Sequence, residues 1–117
     1  MERSDPGWRP DAMDGPIAAP HHHWVLFEND RVRVVETLVP AGEITPVHTH
    51  LPPTVLYVLS GSHFLRRDPD GAVKLDTRAI EPPFSMPPVM WSDGNPAHTL
   101  ENTGPDDLHV IGVELKG

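Results

Sequence analysis

From Trp24 onward the chain alternates short runs of β-branched and aromatic residues with clusters of Gly, Pro, Asn and Asp, which is the pattern of strands joined by turns. The apolar runs predict strands over roughly 24–27, 31–39, 47–50, 54–60, 62–68, 72–79, 84–91, 97–102 and 108–115. "DPDG" between "HFLRR" and "AVKLD" is the clearest hairpin turn. In "RVRVVETLV" the alternation breaks after Val34, so a bulge or a strand covered on both faces is expected. Neither face of "LHVIGVELK" is clearly polar. The expected fold class is all-β, an antiparallel sandwich or barrel. Residues 1 to 20, rich in Pro, Gly and Asp, read as a flexible N-terminal arm that docks through Trp8.

Composition narrows this further. With 15 prolines and 9 glycines in 117 residues, long helices are excluded, since each interior proline costs a helix about 3 kcal/mol. The length is that of one domain, placed at residues 21 to 117 after the arm. A formal net charge of −8, with scattered Lys and Arg, argues against nucleic acid as a partner. No apolar run approaches the ~18 residues of a membrane span, and the acidic start lacks the regions of a signal peptide. The chain has no cysteine, so disulfide and thiolate chemistry are unavailable, and a cytoplasmic protein is expected.

Candidate chemistry lies in the histidines. On a strand, His48 and His50 of "TPVHTH" share one face. An HxH pair alone is weak evidence for metal, but His98 in "PAHTLENTG" supplies a third imidazole from a second strand-like segment. His21, His22 and His23 cannot all face one metal; His22 is the best placed to enter. Arg66 and Arg67 are adjacent on a strand and face opposite sides. One of them enters the interior, either to neutralise a substrate carboxylate or to pair with Asp68 or Asp76. Tyr57, Phe64, Met86, Met90 and Trp91 are candidates for a pocket lining or for core packing. Glu101 and His63 are the only evident general bases; His63 and His109 are otherwise read as structural.

Gly42, His48, His50 and Gly61 resemble the first cupin motif, and His98 with Asn102 resembles the end of the second. The chain departs from the pattern in two places: Gly94 stands one residue out of place, and Thr54 stands where the motif carries a glutamate. More narrowly, "HHHWVLFENDRVRVVET" with "TPVHTH" and "HVIGVELK" looks like little-characterised small bacterial cupins, some grouped with a β-alanine degradation protein. The resemblance implies a double-stranded β-helix, or jelly-roll barrel, with His48, His50 and His98 pointing inward. It also implies a divalent metal, with Fe(II) favoured and Zn, Ni, Mn or Cu as alternatives, and a homodimer formed through sheet edges.

With Thr54 in place of a carboxylate, such an ion keeps its full charge and open positions, which suits an anionic ligand. Thr54 itself is expected to hydrogen-bond a bound water or a histidine. Two functions follow. The first is a metal-dependent enzyme on a small polar or acidic metabolite, dioxygenase-like ahead of isomerase or lyase. The second is a non-catalytic cupin that binds or senses a small molecule.

Overall fold

The structure is a computed structural model that describes residues 9–117. After a short helix α1 (Gly15–Ala18), the chain forms β1 (His23–Glu28), β2 (Val32–Val39), β3 (His48–His50), β4 (Thr54–Ser60) and β5 (Phe64–Arg67). It continues through β6 (Val73–Asp76), a 3-10 turn (Thr77–Ala79), β7 (Val89–Ser92), β8 (Asn95–Asn102) and β9 (Leu108–Leu115). Two antiparallel sheets result, one ordered β1-β2-β9-β4-β7 and the other β3-β8-β5-β6. Among the described residues no helix is long and apolar enough to cross a membrane.

Alternation fixes which side chains turn inward. Along β9, Leu108, Val110, Gly112 and Glu114 are buried, and the residues between them are not. Val39, Leu108 and Val110 make the dry core, with Leu56, Val58, Met86 and Leu100 packed on it. Asn102 closes the β8–β9 connection, donating from Nδ2 to the carbonyls of Val39 and Asp106, both at 2.8 Å, and accepting from the Gly104 amide at 3.0 Å.

β2 corrects the sequence pattern. It pairs with β9 in unbroken register, and Arg33, Val35 and Val39 are all buried on one side. The period of two therefore holds once a charged residue, Arg33, is placed inside. The irregularity lies on the partner strand instead, between Val25 and Phe27 of β1. The strand expected over 84–91 shrinks to β7, because "PPFSMPP" carries four prolines that lack the amide proton a ladder needs.

Part of the segment expected to be a flexible arm is seated on the barrel. The Thr49 amide donates to the Met13 carbonyl at 2.7 Å, and buried Asp14 accepts two hydrogen bonds of 2.8 Å from the Arg33 guanidinium. A buried ion pair and a backbone hydrogen bond thus tie residues 13 and 14 to the barrel. Trp8 lies outside the described residues.

Candidate metal centre

Four histidines from three strands converge at one end of the barrel. His48 on β3 faces His98 on β8 as a cross-strand partner, with ring centroids 4.5 Å apart. His50, two residues on, lies 4.8 Å from His48 and 5.8 Å from His98. The fourth is His23, the first residue of β1, whose ring is 4.7 Å from that of His48 and 4.9 Å from that of His50. His22, the best placed of the three by sequence, turns away and pairs through Nε2 with Glu43 at 2.9 Å. The choice depends on which residue opens the strand, since neighbours face opposite sides.

The tautomers are set by the backbone. Nδ1 of His23 lies 3.0 Å from the Ala19 carbonyl, Nδ1 of His48 is 2.8 Å from that of Pro46, and Nδ1 of His98 is 2.7 Å from that of Pro96. A carbonyl oxygen only accepts, so each Nδ1 carries the proton and each Nε2 keeps its lone pair. Burial, together with neighbouring imidazoles, lowers His23 to about 3. Burial foremost, with neighbouring Arg66 among the lesser causes, lowers His98 to about 4. His48 is lowered too, and His50 falls well below the usual histidine range, in both cases chiefly by burial.

These are neutral nitrogen donors, oriented by hydrogen bonds on their far side as metal-binding imidazoles generally are. One donor atom from each of His23, His48 and His50 lies within 4.8 Å of the others. That spacing and donor chemistry fit a divalent ion of the zinc, iron, nickel or copper type.

No protein-family model matches the chain, and no curated protein does. Solved structures do match: a cupin domain from Bordetella pertussis aligns with a TM-score of 0.62 at 21% identity, over 81% of this chain and 92% of that one. The chain has the cupin fold. An RmlC-like cupin family protein with a double-stranded β-helix from Methanocaldococcus jannaschii gives a TM-score of 0.55 at 15% identity, over 80% of this chain and 77% of its own. An RmlC-like cupin from Desulfovibrio desulfuricans gives 0.50 at 16% identity, over 79% of each chain.

Inside this cupin barrel the histidines open onto a largely apolar cavity of about 120 Å³. Thr54 and Arg66 line it, as do Phe64, Met86 and Met90. Thr54 binds none of the four histidines; its hydroxyl donates to the Pro52 carbonyl at 2.9 Å. Tyr57 and Trp91 are not on the wall. Thr54, Leu56 and Val58 of β4 face inward, so Tyr57 faces out and is 46% exposed. Met90 and Ser92 of β7 do likewise, leaving Trp91 53% exposed with its indole N–H on Asp93 at 2.7 Å. His63 bonds Thr77 at 2.9 Å, and His109 pairs with Glu36 at 2.7 Å. Glu101 pairs with Arg67 at 3.0 Å.

A carboxylate absent from Thr54 stands one strand away. Glu114 of β9 is the cross-strand partner of Thr54 and lines the same cavity. Its Oε1 accepts from Arg33 Nε at 2.6 Å, the guanidinium that also grips Asp14. Burial pushes the Glu114 carboxyl up, against the pull of Arg33. Sequence reading missed Glu114, because it is the one acid on the otherwise apolar inward face of β9. It also missed His23. The repeated Pro-x-His of Pro46–His48 and Pro96–His98 was an available signal for two of the oriented rings.

Proposed function

We propose that this cupin is a metal-dependent enzyme that acts on a small polar or acidic metabolite in a dioxygenase-like reaction with Fe(II). The observation that carries this reading is the cluster of neutral imidazoles, three with Nδ1 committed to backbone carbonyls, at the mouth of a mostly apolar cavity. His23, His48, His50 and His98 are the residues that would hold the metal. A divalent ion supplies Lewis acidity there, and iron adds redox chemistry toward dioxygen. The chain's own part is to hold that ion with neutral donors, to exclude water with Leu56, Val58 and Met86, and to keep one carboxylate, Glu114, at the wall.

The second reading is a cupin that binds a small molecule without turning it over. What supports it is that Glu114 is tied to Arg33 and the Thr54 hydroxyl to Pro52, so that neither of these two wall groups is free to move a proton. Protein purified without a tag, analysed for metals and then assayed for oxygen uptake after Fe(II) loading against small organic acids, separates these readings. Stoichiometric metal with substrate-dependent uptake supports the enzyme. Metal without uptake favours the binding protein, and no metal even after reconstitution rejects the enzyme and leaves the binding protein.

We further infer a homodimer. β1 is an edge strand whose Trp24 and Phe27 are exposed, and Tyr57, Val89 and Trp91 extend an apolar surface across the same sheet. A second copy satisfies both the open backbone edge and the apolar face.

A further inference from the structure

Arg66 is the one charged group on the cavity wall for which the described residues offer no counter-ion. Its neighbour Arg67 faces the other way and is paired with Glu101. Asp68 bonds the amides of Asp70 and Ala72 and pairs with Lys74. Asp76 caps the Arg78 amide at 2.9 Å. The carboxylate on the wall, Glu114, belongs to Arg33. Arg66 thus stands with its Nε buried and without a hydrogen-bond partner, its guanidinium 5.8 Å from the Phe64 ring centroid.

Arg66 is partly buried, and a guanidinium whose buried Nε has no partner is costly to hold, so a position of this kind points to a ligand that supplies the missing anion. Charge arithmetic gives the same sign. Asp14 and Glu114 match Arg33 and Arg66 in number, and the histidines are neutral, so a divalent ion in the cluster adds charge that nothing on the wall offsets. The rest of the wall is apolar, with Leu56, Val58, Met86, Met90 and Leu100 facing the space. A single guanidinium in such surroundings suits a monoanion, because a phosphate dianion needs more donors than one fork provides. A cavity of about 120 Å³ is close to the ~150 Å³ that accepts benzene, which sets the ligand at about six to eight non-hydrogen atoms.

We propose that Arg66 is the carboxylate anchor for a short-chain monocarboxylate, whose apolar body lies along Leu56, Val58 and Met86 and whose far end faces the histidine cluster. This rests on the metal-enzyme reading for its biological sense, but the binding step is separable from it. The test is calorimetric titration of butyrate, butyramide and inorganic phosphate into metal-free and Zn-loaded protein, for the wild type, Arg66→Lys and Arg66→Met.

Butyrate is expected to bind both forms of the wild type, at least tenfold more tightly than butyramide or phosphate. Arg66→Met should lose butyrate binding by tenfold or more, with Arg66→Lys intermediate. Zn stoichiometry should be unchanged in both variants. Arg66→Met should also melt at or above the wild-type temperature, since it removes a partly buried charge with no counter-ion; this guards against loss of binding through misfolding. Butyrate affinity unchanged in Arg66→Met, or phosphate bound more tightly than butyrate, overturns the anchor while leaving the metal reading intact. Arg66-dependent butyrate binding by a protein that takes no metal upholds the anchor and sinks the metal reading.

Discussion

At position 23 a single side chain joins His48 and His50 in a group whose donor atoms lie within 4.8 Å of one another. His23 reaches His48 and His50 from a different sheet, and its ring is fixed by the Ala19 carbonyl. His23→Ala is therefore expected to weaken metal binding by tenfold or more, comparable to His48→Ala, whereas His22→Ala should leave metal affinity near wild type; competition with a chromogenic chelator reads both. Gly15 offers a second residue-scale test. A Cβ at this position would stand 2.7 Å from Cε1 of His50 and 3.4 Å from Cδ2 of His23. Alanine is favoured over glycine within a helix by about 1 kcal/mol, yet Gly15→Ala should lower metal affinity, by about tenfold to a hundredfold as for other groups that orient ligands. An unchanged affinity would show that His50 shifts freely. His48 and His50 were legible as candidates because an HxH on a strand has one geometry; which of His21 to His23 joins them depends on where β1 begins.

Among the elements, α1 does more than its four residues suggest. It follows Asp14, whose pairing with Arg33 and through it with Glu114 ties the N-terminal segment, β2 and β9 together in one buried network. Burial opposes the Arg33 charge, but the two carboxylates outweigh it and hold the guanidinium firmly protonated. Removing one member leaves the other charges uncompensated, so Asp14→Ala should destabilise the fold by about 3–5 kcal/mol, measured by urea denaturation. Amide exchange over residues 13 to 19 should accelerate in the same variant, since the docking contact is gone. Slow exchange there would mean that helix packing alone seats the segment. None of this was readable from the Pro-rich composition. A buried Asp–Arg pair joins positions nineteen residues apart, and local pattern carries no signal for it.

For the molecule as a whole, metal and assembly are the levers. An ion bound only by the folded barrel stabilises it by about 2.7 kcal/mol at a hundredfold excess over its Kd, so loading should raise Tm and a chelator should reverse the gain. The exposed apolar face across β1, β4 and β7 predicts a dimer by light scattering. Phe27→Glu, on an edge strand with little to lose in the core, should yield a monomer with metal binding retained. A wild-type monomer at all accessible concentrations would remove the inference.

Most strand and turn positions follow from the sequence, because period-two alternation and turn residues act over a few neighbours. So do the HxH pair and the choice between Arg66 and Arg67 as alternatives. Tertiary structure decided the rest: that Arg66 is the inward one, that Tyr57 and Trp91 face out, that His23 completes the cluster, and that Glu114 stands across from Thr54. Each of these rests on strand register or on a buried pairing between distant residues, and side-chain direction flips with a shift of one position.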